Sequence, residues 1–363
     1  MVTSLALSSD LAELNLELKR RGVGQVVDSS KLTRAMFSSD ASLYRVVPQA
    51  VAHPHSVDEL LAVLDAARAV NMPVTSRGAG TSCAGNAVGP GLIVDTSRYL
   101  TKIGTVDPAA RSVDVEPGVV QSSLQAHAAP HALRFGPDPS THNRCTIGGM
   151  IGNNACGPRA LGYGKTADNV IALDVVTGSG ERLLLDGSNK PDASASLQAL
   201  SEVVQANLGT IRTEFGTFGR QVSGYSMQHL LPENGFNVAR FLAGTEGTLA
   251  VILGATVRLV ADAPHKIMIA LGYPSMAEAA DAAPVILHHG PTACEGLDRR
   301  IIDVVRRSRG DAAVPPLPHG DGWVFVEFVG DNPAELRSRA AALLADAAAL
   351  DGFVVDSPVQ ALA

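Results

Sequence analysis

The sequence has no extended Lys/Arg run, no unbroken apolar stretch of membrane-spanning length and no Cys-x-x-Cys pair. Without a basic cluster, and with a net charge of −7, the chain offers no footprint for nucleic acid or an anionic membrane surface. Without about 18 successive apolar residues no membrane span is expected. The first residues, MVTSLALSSDLAELNLELKRRG, lack a basic stretch ahead of an apolar core and a small-residue cleavage site. They read as a charged amphipathic helix and not as a signal peptide. Cys83, Cys145, Cys156 and Cys294 stand far apart, which removes support for zinc or iron–sulfur ligation. A reduced, cytoplasmic setting fits such thiols.

What is present is apolar residue, at 46%, spread over 363 positions with mean hydropathy +0.14. That is enough for a large core and too long for a single one, so two domains are expected. Ser56 followed by Glu59 forms a capping box. Leu60, Leu61, Leu64, Ala67 and Val70 then share one helical face, and Asn71 ends it. Residues 73–76 read as a strand entering a glycine-rich loop, GLIVDTS as a buried strand, and SVDVEPG as a strand stopped by Pro117-Gly118. QSSLQAHAA reads as a helix, NVIALDVVTGSGERLLL as a hairpin, SLQALSEVVQANLGTIRTEF as one helix, and RFLAGTEGTLAVILGATVRLV as a turn and a long strand.

From residue 264 strands and helices alternate: KIMIALGY, MAEAADAAPVILHH interrupted at Pro284, TACEGLD, IIDVVRRSR, WVFVEFVG, AELRSRAAALLADAAAL and GFVVDS. This is a β-α-β-(α)-β-α-β order, the ferredoxin-like pattern. Ser357-Pro358 then has the signature of an N-cap and first helical residue. With only VQALA to follow, the announced helix is cut short, which points to a truncated chain.

Three glycine-rich turns carry the chemistry. Arg77-Gly78-Ala79-Gly80-Thr81-Ser82 follows a strand, and its small residues leave successive N–H groups free to face an anion. Its glycines, at 78, 80 and 85, do not make G-x-G-x-x-G, which excludes an NAD-type turn. GYGKT at 162–166 ends like a P-loop, but the first glycine of that motif falls on Arg159, so ATPase chemistry is excluded. The loops at 76–82, 137–157 and 244–252 can converge on one extended diphosphate ligand. Large side chains are scarce in all three.

The segments SRGAGTSCAG, GPDPSTHNRCTIGGMIGNNACGPRALGYGKTADNV and FLAGTEGTLAVI closely resemble the flavin-contacting segments of the p-cresol methylhydroxylase/vanillyl-alcohol oxidase superfamily. The branch they resemble is the D-2-hydroxyacid dehydrogenases: cytochrome-linked D-lactate dehydrogenase, the flavin subunit of glycolate oxidase and D-2-hydroxyglutarate dehydrogenase. The resemblance covers residues 40–261 and implies an α+β fold: a two-subdomain FAD-binding domain of the p-cresol methylhydroxylase type, then an incomplete ferredoxin-like cap. The expected division is 1–40 as a helical segment, 41–261 as the FAD-binding domain and 262–363 as a partial cap.

Carried over by position, the resemblance implies that Ser76, Arg77, Gly78, Ala79, Gly80, Thr81 and Ser82 cradle the FAD pyrophosphate. Pro137, Asp138, Ser140, Thr146, Gly148 and Gly149 would run beside the flavin and diphosphate. Asn153, Asn154, Ala155 and Gly157 would continue that contact, Tyr163-Gly164 would close the turn, and Glu246, Gly247 and Ile252 would meet the adenine–ribose end. The first loop has no His, so FAD is expected to be non-covalent.

The implied reaction is oxidation of a D-2-hydroxy acid to a 2-keto acid. Its electrons would leave for a cytochrome, a quinone or an iron–sulfur module, left open here. A relative acting on another alcohol and a non-catalytic flavin-binding fragment are the alternatives. In this branch the base, the Arg clamp and a His-liganded metal lie in later segments, so no catalytic residue and no metal ligand is assigned. His142 reads as loop surface, His265, His288 and His289 lack metal-ligand spacing, and Cys156 reads as a small filler. Arg299, Arg300, Arg306 and Arg307 read as a solvated helix face, with binding of a carboxylate substrate as the alternative.

Overall fold

The computed structural model describes residues 2–222 and 224–358. They form two compact units: the described residues up to 135, 139–155 and 165–259 make the first, and 136–138, 156–164 and those from 260 onward the second.

The first unit has two sheets. Helix α1 (Val2–Arg20), strand β1 (Val27–Asp28), helix α2 (Lys31–Met36), strand β2 (Ala50–Ala52), helix α3 (Val57–Ala69) and strands β3 (Val74–Arg77) and β4 (Leu92–Asp95) build one of them. Its order is β1-β2-β4-β3, with β2 and β3 both parallel to β4. Strand β4, LIVD, is buried at every position, as the apolar Leu92, Ile93 and Val94 of a central parallel strand should be, and Asp95 is buried with them. The N-cap hydroxyl of Ser56 accepts from Glu59 N, as its spacing predicts. The Glu59 carboxylate, however, reaches one residue further back and accepts from His55 N, so the box is displaced by one position. The face of α3 that packs on the sheet includes Val63 and Ala66 besides Leu60, Leu64 and Ala67, and Leu14 and Leu18 of α1 close the same core.

Strand β5 (Ser112–Val115), helix α4 (Gln121–Ala128), strand β6 (Leu133–Phe135) and helix α5 (Ile147–Asn153) follow. Helix α6 (Ala160–Tyr163) belongs to the second unit. The first unit resumes with strands β7 (Val170–Thr177) and β8 (Arg182–Leu185), helices α7 (Ala195–Ala206), α8 (Leu208–Glu214) and α9 (Val238–Leu242), and strand β9 (Ala250–Ala261). The second sheet runs β5-β9-β7-β8, with β6 also on β9. The single helix expected over 196–215 is two. Asn207 leaves helical geometry at φ −127°, ψ 18°, and its side-chain amide donates to Val203 O, a local bond that competes with the helix.

The second unit contains strand β10 (His265–Tyr273), helices α10 (Met276–Asp281) and α11 (Ala283–His288) divided near Pro284, and strand β11 (Ala293–Asp298). Helix α12 (Arg299–Arg309), strand β12 (Gly322–Gly330), helix α13 (Pro333–Asp346) and strand β13 (Asp351–Pro358) complete it. Its sheet is antiparallel with order β11-β12-β10-β13, the ferredoxin-like arrangement, and α12 is the extra helix between its second and third strands. Ile267, Ile269, Leu271, Val324, Val326 and Phe328 face Ala279, Ile286, Leu336, Ala340 and Leu343 across one core. The expected N-cap at Ser357-Pro358 is a strand end instead, where Ser357 pairs with Lys266 and Pro358 with His265. Pairing along the edge of β10 overrides the local cap signature, and a proline without an N–H is tolerated at such an end. The helix expected after it lies outside the described residues.

Candidate FAD site

All three glycine-rich turns reach one cleft of about 390 Å3 in the first unit. Strand β3 delivers Ser76 and Arg77 at the C-terminal ends of the parallel strands β2, β4 and β3, where ligands of parallel sheets commonly sit. The chain then crosses the cleft as Gly78-Ala79-Gly80-Thr81-Ser82-Cys83. Among the described residues, none of these six N–H groups donates to a protein acceptor, although all six residues line the cleft. Gly80, at φ +66°, turns the loop so that consecutive amides can converge.

Helix α5 forms the facing wall. Its N-cap Thr146 is buried and accepts from Gly149 N through Oγ1. The helix N-terminus is nevertheless not the anion donor. Ile147 N donates to Val119 O at 2.8 Å and Gly148 N to Pro117 O at 2.8 Å, so its first amides are already engaged. The glycines there serve close approach. A Cβ on Gly148 would stand 2.7 Å from Pro117 Cβ, and one on Gly78 only 2.2 Å from Thr146 Oγ1, so loop and helix meet without room for a methyl. Gly152 differs: beyond its own helix backbone nothing lies within 4 Å of its Cβ position, and the residue lines the cleft.

Glu246 and Gly247 close the far end, ahead of Ala250, Val251 and Ile252 of β9. Glu246 adopts φ +55°, rare for a residue with a Cβ, and accepts from the side-chain amide of Asn153 at 2.8 Å. Burial raises the pKa of its carboxyl, against the opposing hydrogen bond from Asn153. Burial also raises the Cys145 thiol, which lines the cleft as a neutral group. Arg77 is the cleft's sole cationic side chain among the described residues. The cleft therefore presents main-chain dipoles, bare Cα atoms and a few apolar side chains, the composition that suits a flat ring system joined to a diphosphate.

Of the residues expected to touch FAD, Ser76, Arg77, Gly78, Ala79, Gly80, Thr81, Ser82, Thr146, Gly148, Gly149, Asn153, Ala155, Glu246, Gly247 and Ile252 line this cleft. Seven do not. Pro137, Asp138, Gly157, Tyr163 and Gly164 belong to the second unit. There Asp138 accepts from Arg159 N, and its backbone presses against Gly157, whose added Cβ would stand 2.4 Å from Asp138 O. Asn154, at φ +52°, is buried, and its side-chain Oδ1 accepts from Ala167 N at 2.9 Å. Ser140 falls between Pro139 and Thr141, which do line the cleft. The residues that sequence reasoning missed include Gly152, Thr96, Pro117 and Val251. Gly152 and Pro117 carried a signal, one as a helical glycine and the other as a strand stop; Thr96 and Val251 carried none. No cluster of three metal-ligating side chains occurs among the described residues. No described helix is long and apolar enough to cross a membrane.

Comparison with known proteins agrees with this geometry. Residues 48–186 match the model of an FAD binding domain, and residues 263–361 that of the FAD linked oxidases, C-terminal domain. A D-2-hydroxyglutarate dehydrogenase of Pseudomonas putida is 31% identical, over 94% of this chain and 36% of its own length. A D-lactate dehydrogenase of Archaeoglobus fulgidus is 28% identical, over 86% of this chain and 63% of its own length. A solved alkyldihydroxyacetonephosphate synthase shares the fold at TM-score 0.69 and 17% identity, over 97% of this chain and 62% of that one. The chain thus spans about a third of the first of these relatives and less than two thirds of the others.

Proposed function

Because the chain belongs to the flavoproteins that join an FAD binding domain to the C-terminal domain of FAD linked oxidases, we propose that it is an FAD-dependent oxidoreductase of D-2-hydroxy acids. The observation that carries this reading is the run of six cleft-lining amides, Gly78 to Cys83, that donate to no protein acceptor among the described residues. Such a run leaves consecutive donors available to a diphosphate.

In this reading the loop's main chain holds the pyrophosphate, and the bare face of α5 at Gly149 and Gly152 lets the ring system lie flat. Glu246 and Asn153, paired to each other, bound the polar end. Thr96 and Pro117 shape the wall, and Cys145 fills space without charge. When bound, FAD supplies the acceptor for the hydride that leaves C2 of the hydroxy acid. The substrate class rests on the names of the relatives, a D-2-hydroxyglutarate dehydrogenase and a D-lactate dehydrogenase. The free thiols of Cys83, Cys145, Cys156 and Cys294 support a cytoplasmic location.

Anaerobic addition of D-2-hydroxyglutarate, D-lactate or glycolate to the FAD-loaded protein tests the reading. Bleaching of the flavin absorbance by at least one, with the matching 2-keto acid as product, is expected. A loaded protein that none of the three bleaches would overturn the substrate class.

A further inference from the structure

Arg77, the cationic residue of the cleft lining, commits its guanidinium to main-chain carbonyls. Nη1 donates to Ala87 O at 2.9 Å and Phe37 O at 3.4 Å, Nη2 donates to Ser39 O at 2.9 Å, and the group lies 5.0 Å over the Phe37 ring. Two further bonds run between the same segments: Ala41 N donates to Gly80 O at 3.1 Å, and Ala87 N donates to Asp40 Oδ2 at 3.3 Å. The guanidinium also fills the space a side chain at position 80 would need, since a Cβ there would stand 2.5 Å from Nη2. The loop 78–87 is therefore fastened from behind, at both ends, to residues 37–41. Those residues precede the matched FAD binding domain, which begins at 48.

We infer that Arg77 is a positioning residue: it fixes the shape of the diphosphate-binding loop through three main-chain carbonyls on two segments and does not pair with the diphosphate. The inference rests on the reading of the cleft as the FAD site. A planar fork can satisfy carbonyls on separate segments at once, whereas a lysine ammonium is a point charge with a different reach. Charge at position 77 is consequently not the property that matters; shape is. Burial lowers the pKa of the guanidinium, although Asp40 and Asp95 oppose this, in agreement with a group enclosed by protein and held by carbonyls.

The test is titration of the apoprotein with FAD, ADP and riboflavin at two salt concentrations, for wild type, R77K, R77A and D40A. Losing hydrogen bonds to a charged group should weaken FAD and ADP by about 10- to 100-fold in both Arg77 variants. D40A, which removes the acceptor for Ala87 N, should lose affinity in the same direction. Riboflavin, which lacks the diphosphate, should bind all four proteins equally, and the salt dependence for FAD should be the same in wild type and R77A. R77K binding FAD like wild type while R77A does not would show a charge contact and overturn the inference. Equal loss of riboflavin would show general collapse and overturn it as well. Should R77A fail to fold, R77K and D40A decide by the same criteria. A wild-type protein that binds neither FAD nor ADP would overturn the FAD reading itself, an outcome separate from any difference among variants.

Discussion

Replacing Gly152 by Ala separates the needs of the fold from those of the ligand. Gly152 lies in α5, has no left-handed φ, and beyond its own helix backbone has no atom within 4 Å of its Cβ position, so the protein alone accommodates a methyl. A helical Gly-to-Ala change reduces the entropy of the unfolded chain and raises stability by about 0.5–1 kcal/mol, or a Tm increase of roughly 1–3 °C. Gly152 also lines the cleft, so if the flavin lies against α5 as proposed, the added methyl takes space that the flavin would occupy. Overpacking of that kind costs about 1–3 kcal/mol, which corresponds to FAD binding about 5- to 150-fold weaker. Differential scanning fluorimetry of the apoprotein and fluorescence titration with FAD read the two effects separately. A higher apoprotein Tm together with weaker FAD binding is the expected result. Unchanged FAD affinity beside a raised Tm would refute the idea that the bare face of α5 touches the cofactor.

Gly78→Ala should behave oppositely in the apoprotein, because its Cβ would meet Thr146 Oγ1 at 2.2 Å. A loss of about 1–3 kcal/mol is expected in urea unfolding, with weaker FAD binding besides. Glu246→Gln addresses pH. Burial raises the folded-state pKa of Glu246, so its contribution to stability is fully present below the unfolded pKa and is lost as pH rises through the folded one. The urea midpoint of the Gln variant, relative to wild type, should therefore increase as pH rises from about 4 toward neutrality; a flat difference would contradict this. In the second unit Arg159 grips Glu327 with two bonds, of 2.6 and 2.9 Å, and the Glu327 side chain is 5% exposed. Arg159→Met leaves that carboxylate with Lys266 Nζ at 3.6 Å and should cost about 3–5 kcal/mol in denaturant unfolding.

Much of the site was legible in the sequence because glycine reports where backbone must come close. The strand before 78, the small residues of 78–83 and the turn at 244–248 were each recognisable from local pattern, and the structure gathers them at one cleft. Glycine does not say what it approaches. Gly78 faces Thr146, whereas Gly157 faces Asp138 in the other unit, and only long-range folding separates these cases. Asn154 looked like Asn153, yet the first is buried and serves Ala167 N, whereas the second meets Glu246. The helix break at Asn207 was hidden because the apolar periodicity continues across it. The cap signature at Ser357-Pro358 was overridden by strand pairing that no local window contains. The partners of Arg77 were equally invisible, because Phe37 O and Ser39 O lie 40 and 38 residues earlier in the chain.

One FAD is proposed to occupy the cleft lined by loop 78–83, α5 and residues 246–252. Fluorescence titration of the apoprotein with FAD, followed by quantification of the flavin released on denaturation, tests it most directly. One FAD per chain, bound saturably, displaced by ADP and weakened in Gly152→Ala, is the predicted result. A folded protein that takes up no FAD, or that binds it with an affinity indifferent to both ADP and Gly152→Ala, would contradict the account.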